Sequence, residues 1–387
     1  MRIRNVSLFA LVAIAFLVVG LSGCERMTSV IPPGETEPVD IIDVTIGIAL
    51  ARTGDNAEPY GDPMFRGLEL AREEQRMYGV NFKFFVYDNK STVDGAKEAV
   101  QFLVDQGIPA IVGVGISTHL REAFPIAQEA GVVAFSPISS AAGLSGEVGD
   151  YAFRAGLATN ILIPKGVMQT HAALQYQSAA IIYDSTDTYS TSVKDELTTA
   201  LGTANVDILA TEAFATTDTD FMTQLMNINS MAPDVVFVAA LSTQMVQIIE
   251  QADALGVSSR LIVPDLTKVE VGEVGAAAEN AIAFAGWSEL DDSPKNQAFV
   301  KSYMDKHGSI PSPWAAQAYA SLNILANAIR QADSTDAADI RDALAATMDF
   351  DTVLGSFSFD PNGEAVYEQI VVLEVVKDGS LQPLGSQ

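Results

Sequence analysis

From residue 44 onward the chain runs through one alternation twice: short β-branched runs, each followed by a longer stretch of helical period. Residues 44–50 (VTIGIAL), 82–87, 110–114 and 132–135 read as strands, with helices at 63–76, 93–106 and 118–130 between them. A second series places strands at 178–183, 206–210, 235–239 and 261–263 and helices at 162–174, 192–201, 220–228 and 243–255. Parallel neighbours need a crossover of a dozen or more residues, and the intervening helices supply it. The pattern predicts an α/β protein of two doubly wound lobes.

The C-terminal part breaks the rhythm. Helices at 296–307, 314–331 and 337–347 come with barely a strand between them, and a hairpin of 357–359 with 366–376 is expected around Asp360-Pro361-Asn362-Gly363. The economical arrangement sends the helices back to complete the first lobe, while the hairpin completes the second. Three crossings would then join the lobes, near 157–160, 287–290 and 350–354. The N-terminal lobe would hold residues 43–158 plus 289–350, and the C-terminal lobe 159–288 plus 351–387. Ligands of open α/β sheets bind outside the carboxyl ends of the strands, which points to the crevice between the lobes.

The N-terminus has a different character. Arg2 and Arg4 precede an apolar run over 8–21, and Leu21-Ser22-Gly23-Cys24 has the small-residue pattern at which a bacterial lipoprotein signal is cut. The run is short for a membrane span, which needs about 20 residues. Residues 1–23 are therefore expected to be a signal peptide and Cys24 the lipidated first residue of an exported protein. Cys24 is the only cysteine, so no internal disulfide can form. Residues 24–42, with Ile31-Pro32-Pro33-Gly34-Glu35-Thr36-Glu37-Pro38, read as a flexible spacer. The expected location is extracytoplasmic, on a bacterial membrane through the lipid alone.

Removing 23 of 387 residues leaves 364, more than one core usually organises. Loss of two arginines takes the net charge from −27 to −29, which repels nucleic-acid backbones and anionic headgroups. His119, His171 and His307 are too far apart for a local metal motif, and neither a metal nor a cofactor is expected. Asp218-Thr219-Asp220 suggests a helix cap before it suggests calcium. Gly113-Val114-Gly115 lacks the third glycine of a dinucleotide loop, and Gly115-Ile116-Ser117-Thr118-His119 lacks the second glycine of a hydrolase elbow. An ester hydrolase using Ser117 and His119 is set aside on that ground.

Several ordered segments carry a more specific signal: Tyr60-Gly61-Asp62, Gly67-Leu68-Glu69-Leu70-Ala71, Tyr87-Asp88, Ile111-Val112-Gly113-Val114-Gly115-Ile116-Ser117, Phe135-Ser136-Pro137-Ile138-Ser139-Ser140 and Phe153-Arg154. In this order and at these separations the chain resembles the type I periplasmic solute-binding proteins, in particular the branched-chain amino-acid receptors of ABC importers. The resemblance runs from about Val44 to the C-terminal hairpin. It implies a non-enzymatic receptor that closes two lobes on an amino acid, an apolar or branched-chain one, and presents it to a membrane permease. It also implies that Ser117 and Ser140 hold the ligand's α-carboxylate and that the Ile138 carbonyl accepts from its ammonium. Asp265 stands where the family more often has glutamate, as the acidic partner of the ammonium. Tyr189 and Tyr60 would close over the ligand from opposite lobes. Ser190 replaces the usual glycine after that tyrosine, and Leu241-Ser242 stands where relatives often have an aromatic residue. Trp287 and Trp314 fit core packing better than the side-chain pocket. A sensory lipoprotein of the same fold and a receptor for an amide or other small carboxylate are the alternatives.

Overall fold

A computed structural model describes residues 41–367 and 372–384. The signal peptide, Cys24 and nearly all of the spacer lie outside the described residues.

The first sheet is built from β1 (Ile42–Leu50), β2 (Val80–Asp88), β3 (Ala110–Gly113), β4 (Val133–Ser136) and β5 (Ala152–Arg154). Its order is β2-β1-β3-β4-β5, all parallel. The crossovers are α1 (Asp62–Gln75), α2 (Val93–Asp105), α3 (Ser117–Ala130) and the short α4 (Leu144–Val148). Chain direction outward from β1 reverses between β1 and β3, the switch point at which such sheets leave a crevice.

After α5 (Thr159–Leu174) the second sheet repeats the pattern with β6 (Ser178–Asp184), β7 (Asp207–Phe214), β8 (Val235–Ala239), β9 (Arg260–Pro264) and β10 (Ile282–Ala285). Its helices are α6 (Thr188–Thr203), α7 (Met222–Met231), α8 (Ser242–Ala254) and α9 (Lys268–Val274). The parallel part runs β7-β6-β8-β9-β10, the same order as in the first sheet. Two doubly wound α/β units are thus present. The strands β5 and β10, absent from the sequence reading, are only three and four residues long, too short to show a period of two.

The chain then returns through α10 (Pro294–His307), α11 (Pro313–Ala332) and α12 (Ala337–Ala345). Helix α11 starts with Ser312 capping the Ala315 N–H and Pro313 in the first turn. Its alanine-rich surface is buried on most sides, because α11 is packed between the first sheet's helices. At Gly67 on α1 a Cβ would come within 2.2 Å of the Ala315 carbonyl oxygen, so the Gly67 seen in the sequence is what lets α1 and α11 touch.

The end of the chain corrects one expectation. The turn at Asp360–Gly363 does form a hairpin, β12 (Gly355–Phe359) with β13 (Ala365–Tyr367), joined by β11 (Phe350–Thr352) in a separate antiparallel sheet. This hairpin does not complete the second sheet. It packs against the first: Phe359 lies 5.7 Å from Phe135 and 5.1 Å from Phe153 between ring centroids, and Arg154 donates its backbone N–H to the Gly363 carbonyl at 3.0 Å. The reason is electrostatic. Arg154 is fully buried and is neutralised by Glu364 from the hairpin, with Ser145 accepting from its Nε at 3.1 Å. An unpaired guanidinium there would be prohibitive. The second sheet is completed instead by β14 (Val372–Lys377) and β15 (Ser380–Pro383), antiparallel beyond β10, so 365–367 and 372–377 pair in different sheets.

Candidate ligand cleft

The carboxyl ends of both sheets line one narrow cleft. Its wall contains Tyr60, Ser117, Ile138 and Ser140 from the first lobe and Tyr189 and Asp265 from the second, so all six sequence-predicted residues converge. Gly115, Ile116, Ser139, Ala240, Leu241, Met245 and Trp314 complete the wall.

The first-lobe face is made of hydroxyls and backbone. Ser117 is the first residue of α3, whose opening N–H groups have no intrahelical acceptor and carry the positive end of the helix dipole. Its Oγ lies 2.9 Å from the Ser139 Oγ and accepts from the Ala141 N–H at 3.3 Å. Ser139 in turn donates its N–H to the Ser136 Oγ at 3.3 Å, and the Ser136 hydroxyl donates to the Val114 carbonyl at 3.0 Å. Val114 sits at φ +49°, an uncommon conformation for a β-branched residue. That turn brings Gly115 against Ile138, where a Cβ would come within 2.7 Å of the Ile138 side chain and 2.9 Å of Met64. Glycine is required there for the chain to pass. Ser140 is half-buried and its carbonyl accepts from the Thr159 N–H at 2.8 Å, leaving its hydroxyl on the cleft wall.

The second-lobe face carries the charge. Asp265 follows β9 at φ +59°, a strained position for a non-glycine residue and one that recurs at ligand sites. Tyr189, second residue of α6, donates its hydroxyl to Asp265 Oδ2 at 3.0 Å. Burial pushes the Asp265 carboxyl up to about 6; the Tyr189 bond opposes this and the nearby Glu270 adds to it. Burial beside Asp265 also holds the Tyr189 hydroxyl protonated well beyond its ordinary range. A carboxylate that still lacks full compensation is an acceptor for a cation.

The departures from the family pattern have local explanations. Ser190 donates both its N–H and its hydroxyl to Asp187 Oδ2 at 2.9 Å, securing the start of α6. Ser242 donates its N–H to the Tyr60 hydroxyl at 2.9 Å, and its own hydroxyl bonds Glu270 at 2.7 Å. Glu270 also caps α9 through the Thr267 N–H at 3.0 Å, so a buried carboxylate fixes Ser242, and Ser242 fixes Tyr60. Further bonds cross between the lobes beside the cleft. Thr118 donates to Asp187 Oδ1 at 2.7 Å and accepts from the Thr188 N–H at 2.8 Å, while Ala142 donates its N–H to Ser192 at 3.1 Å.

Several wall residues escaped the sequence reading, Ile116, Ala240 and Met245 among them. Ser139 lies between two chosen positions, and only the turn geometry reveals its contact with Ser117. Trp314, expected in the core, is buried there and also lines the cleft, its ring 5.7 Å from Tyr60. Trp287 does belong to the core, donating to Asn296 at 2.8 Å. Buried His119 is held neutral, its ring pushed down to about 4, and among the described residues it makes no hydrogen bond to Ser117. Asp218 and Asp220 accept the N–H groups of Ala215 and Met222 at 2.9 and 3.0 Å, as local turns.

Two lobes of repeated topology, with a small cleft between facing strand ends and one charged partner on its wall, define a solute-binding protein. The pattern of the periplasmic binding protein family matches residues 43–380, and the chain belongs to that family, one of solute binders and not of enzymes. Among curated relatives, the leucine-, isoleucine-, valine-, threonine- and alanine-binding protein of Pseudomonas aeruginosa is 23% identical over 343 residues, covering 87% of this chain and 91% of that protein. A leucine-binding protein of Thermotoga maritima superposes with a TM-score of 0.83 at 23% identity, over 88% of this chain and 98% of that one. The substrate-binding protein of a branched-chain amino-acid transporter from Streptococcus pneumoniae, solved with isoleucine, gives 0.80 at 25% identity over the same shares.

Proposed function

We propose that this protein is the extracytoplasmic receptor of an ABC importer, that it is held to a bacterial membrane by lipid on Cys24, and that it binds an apolar, branched-chain amino acid between its lobes. The observation that carries the reading is the polarity of the cleft. Neutral donors, Ser117 at the N-terminus of α3 and Ser140 in the loop after β4, face Asp265 and Tyr189 across a space walled by Ile116, Leu241, Met245 and Trp314. A free amino acid has a carboxylate for the first set, an ammonium for Asp265 and the Ile138 carbonyl, and an apolar side chain for the rest. The lobe division expected from sequence, 43–158 plus 289–350 against 159–288 plus 351–387, is part of this proposal, with the hairpin at 355–367 transferred to the first lobe because of its packing. A ligand touching both lobes favours the closed arrangement, since it can shift the equilibrium only by its differential affinity. Among the described residues no helix is long and apolar enough to cross a membrane, which is consistent with attachment through the N-terminus. Calorimetric titration of the twenty amino acids tests the ligand assignment; heat from leucine, isoleucine or valine is expected, and none from any amino acid overturns it. Radiolabelled palmitate incorporation that survives Cys24→Ala overturns the anchor.

A further inference from the structure

A second cavity stands back to back with the cleft. The two share walls: Asp265 and Trp314 line the cleft, while their chain neighbours Leu266 and Pro313 line the cavity. One side comes from the second sheet's Glu374 and Leu381 and the start of α9, the other from the 310–313 loop that opens α11. Glu374 is only 8% exposed, and its Oε1 has no hydrogen-bond partner among the described residues. Leaving such an oxygen buried and unpaired is costly, the more so for a charged group. Lys268, the cation on this wall, bonds Glu289 and acts on Glu374 only at a distance, so the wall sets one positive against two negative side chains. Burial holds the Glu374 carboxyl above its ordinary range, with Lys268 opposing the shift, and burial holds the Lys268 ammonium below its own, consistent with a wall short of a positive charge. Apart from Thr267 and Ser312, the rest of the wall, Trp287, Ile310, Pro311 and Leu381 among it, is apolar.

We infer that this cavity is a second binding site, separate from the cleft, for a small organic ammonium whose charged end meets Glu374 and whose apolar body lies against Trp287, Pro311 and Leu381. The pairing is charge-assisted and desolvated, which favours a primary ammonium over a neutral or anionic molecule of equal size. Because the two sides of the cavity come from different lobes, the occupant bridges them.

The test titrates n-butylammonium into the full chain carrying Asp265→Asn, which removes the cleft's acidic partner so that the cleft offers the probe no carboxylate. Saturable binding is expected, weakened at least about tenfold by a further Glu374→Gln, with 1-butanol and butanoate both failing to bind. Because the glutamine variant could unfold locally, Leu381→Trp, which fills the cavity and leaves Glu374 in place, is run beside it and is expected to abolish binding as well. Melting curves check that each variant is folded. No saturable binding to the Asp265→Asn protein, binding indifferent to both second substitutions, or equal binding of 1-butanol overturns the inference. Amino-acid titration of the unaltered chain scores the cleft independently, so failure of one assignment does not decide the other.

Discussion

The two faces of the cleft solve opposite problems by different means. On the proposed reading, the first-lobe face takes a negative group with no charged side chain at all, using Ser117 at the opening of α3 and a string of hydroxyls running back through Ser139 and Ser136 to Val114. The second-lobe face takes a positive group with one real charge, Asp265, placed at a strained backbone position and supported by a single hydroxyl from Tyr189. A shared, neutral face loses little when one member is removed. A single buried charge is the whole of its face, so the ammonium side is the more fragile half of the site.

The largest effect should therefore come from Asp265→Asn. Removing one partner of a desolvated charge pair costs about 2–5 kcal/mol, so amino-acid affinity should fall about 30-fold or more in calorimetry. The same change should stabilise the ligand-free protein. Its carboxyl is held up to about 6 against an ordinary value of 3.8, so the folded state disfavours the ionised form, and asparagine removes that cost. A gain of about 1–2 kcal/mol at neutral pH is expected in denaturant melts. Loss of binding without any gain in stability would mean that Asp265 is already well compensated in the empty cleft.

Ser117→Ala is the matched experiment on the other face. One hydroxyl bonding a charged group contributes about 1.5–2 kcal/mol, a loss of about 10- to 30-fold, with Ser139, Ser140 and the helix terminus still in place. If Ser117→Ala costs as much as Asp265→Asn, the contrast between a distributed and a concentrated face is wrong.

Acid separates the faces in another way. Binding an ammonium requires ionised Asp265, so affinity should hold above about pH 7 and fall as pH drops through about 6, reaching about tenfold weaker at pH 5. Stability of the empty protein should move oppositely, rising as pH falls from about 6 toward 3.8, because the folded state there binds the proton that the unfolded state does not yet take up. Ser117→Ala should keep this affinity profile and Asp265→Asn should flatten it.

Much of the cleft wall was legible because strand–turn–helix junctions are legible. Ser117 and Tyr189 begin helices after strands, and Asp265 follows a β-branched run ending in proline; such positions face the crevice whatever the details of packing. What stayed hidden depended on partners far away in the chain. The hairpin went to the wrong lobe because its anchor, the buried Arg154, lies 210 residues before Glu364, and nothing local in either segment marks the other. Trp314 belongs to the core as expected, and that it also walls the cleft was hidden because α11 reaches the cleft only after the chain has crossed back to pack on Gly67. Ser139 could not be told from its neighbours without the twist that Val114 imposes on the turn.

The smallest effect distinguishes grip from closure. Thr118 lies one residue past Ser117 but spends its hydroxyl on Asp187 and Thr188 of the opposite lobe. It touches the closed arrangement, not the ligand wall. Thr118→Val removes about 1 kcal/mol from that arrangement alone, so affinity should drop about fivefold. The decisive quantity is the ratio between ligands. A residue that acts through closure taxes every ligand by one factor, because each must spend the same extra free energy to shut the lobes, whereas Ser117→Ala should weaken amino acids far more than any ligand lacking a carboxylate. Equal fivefold losses for leucine, isoleucine and valine, with a faster off-rate and an unchanged on-rate, would place Thr118 on the hinge equilibrium. Losses that differ among the three would place it in the recognition surface, and the two faces of the cleft would no longer account for selectivity by themselves.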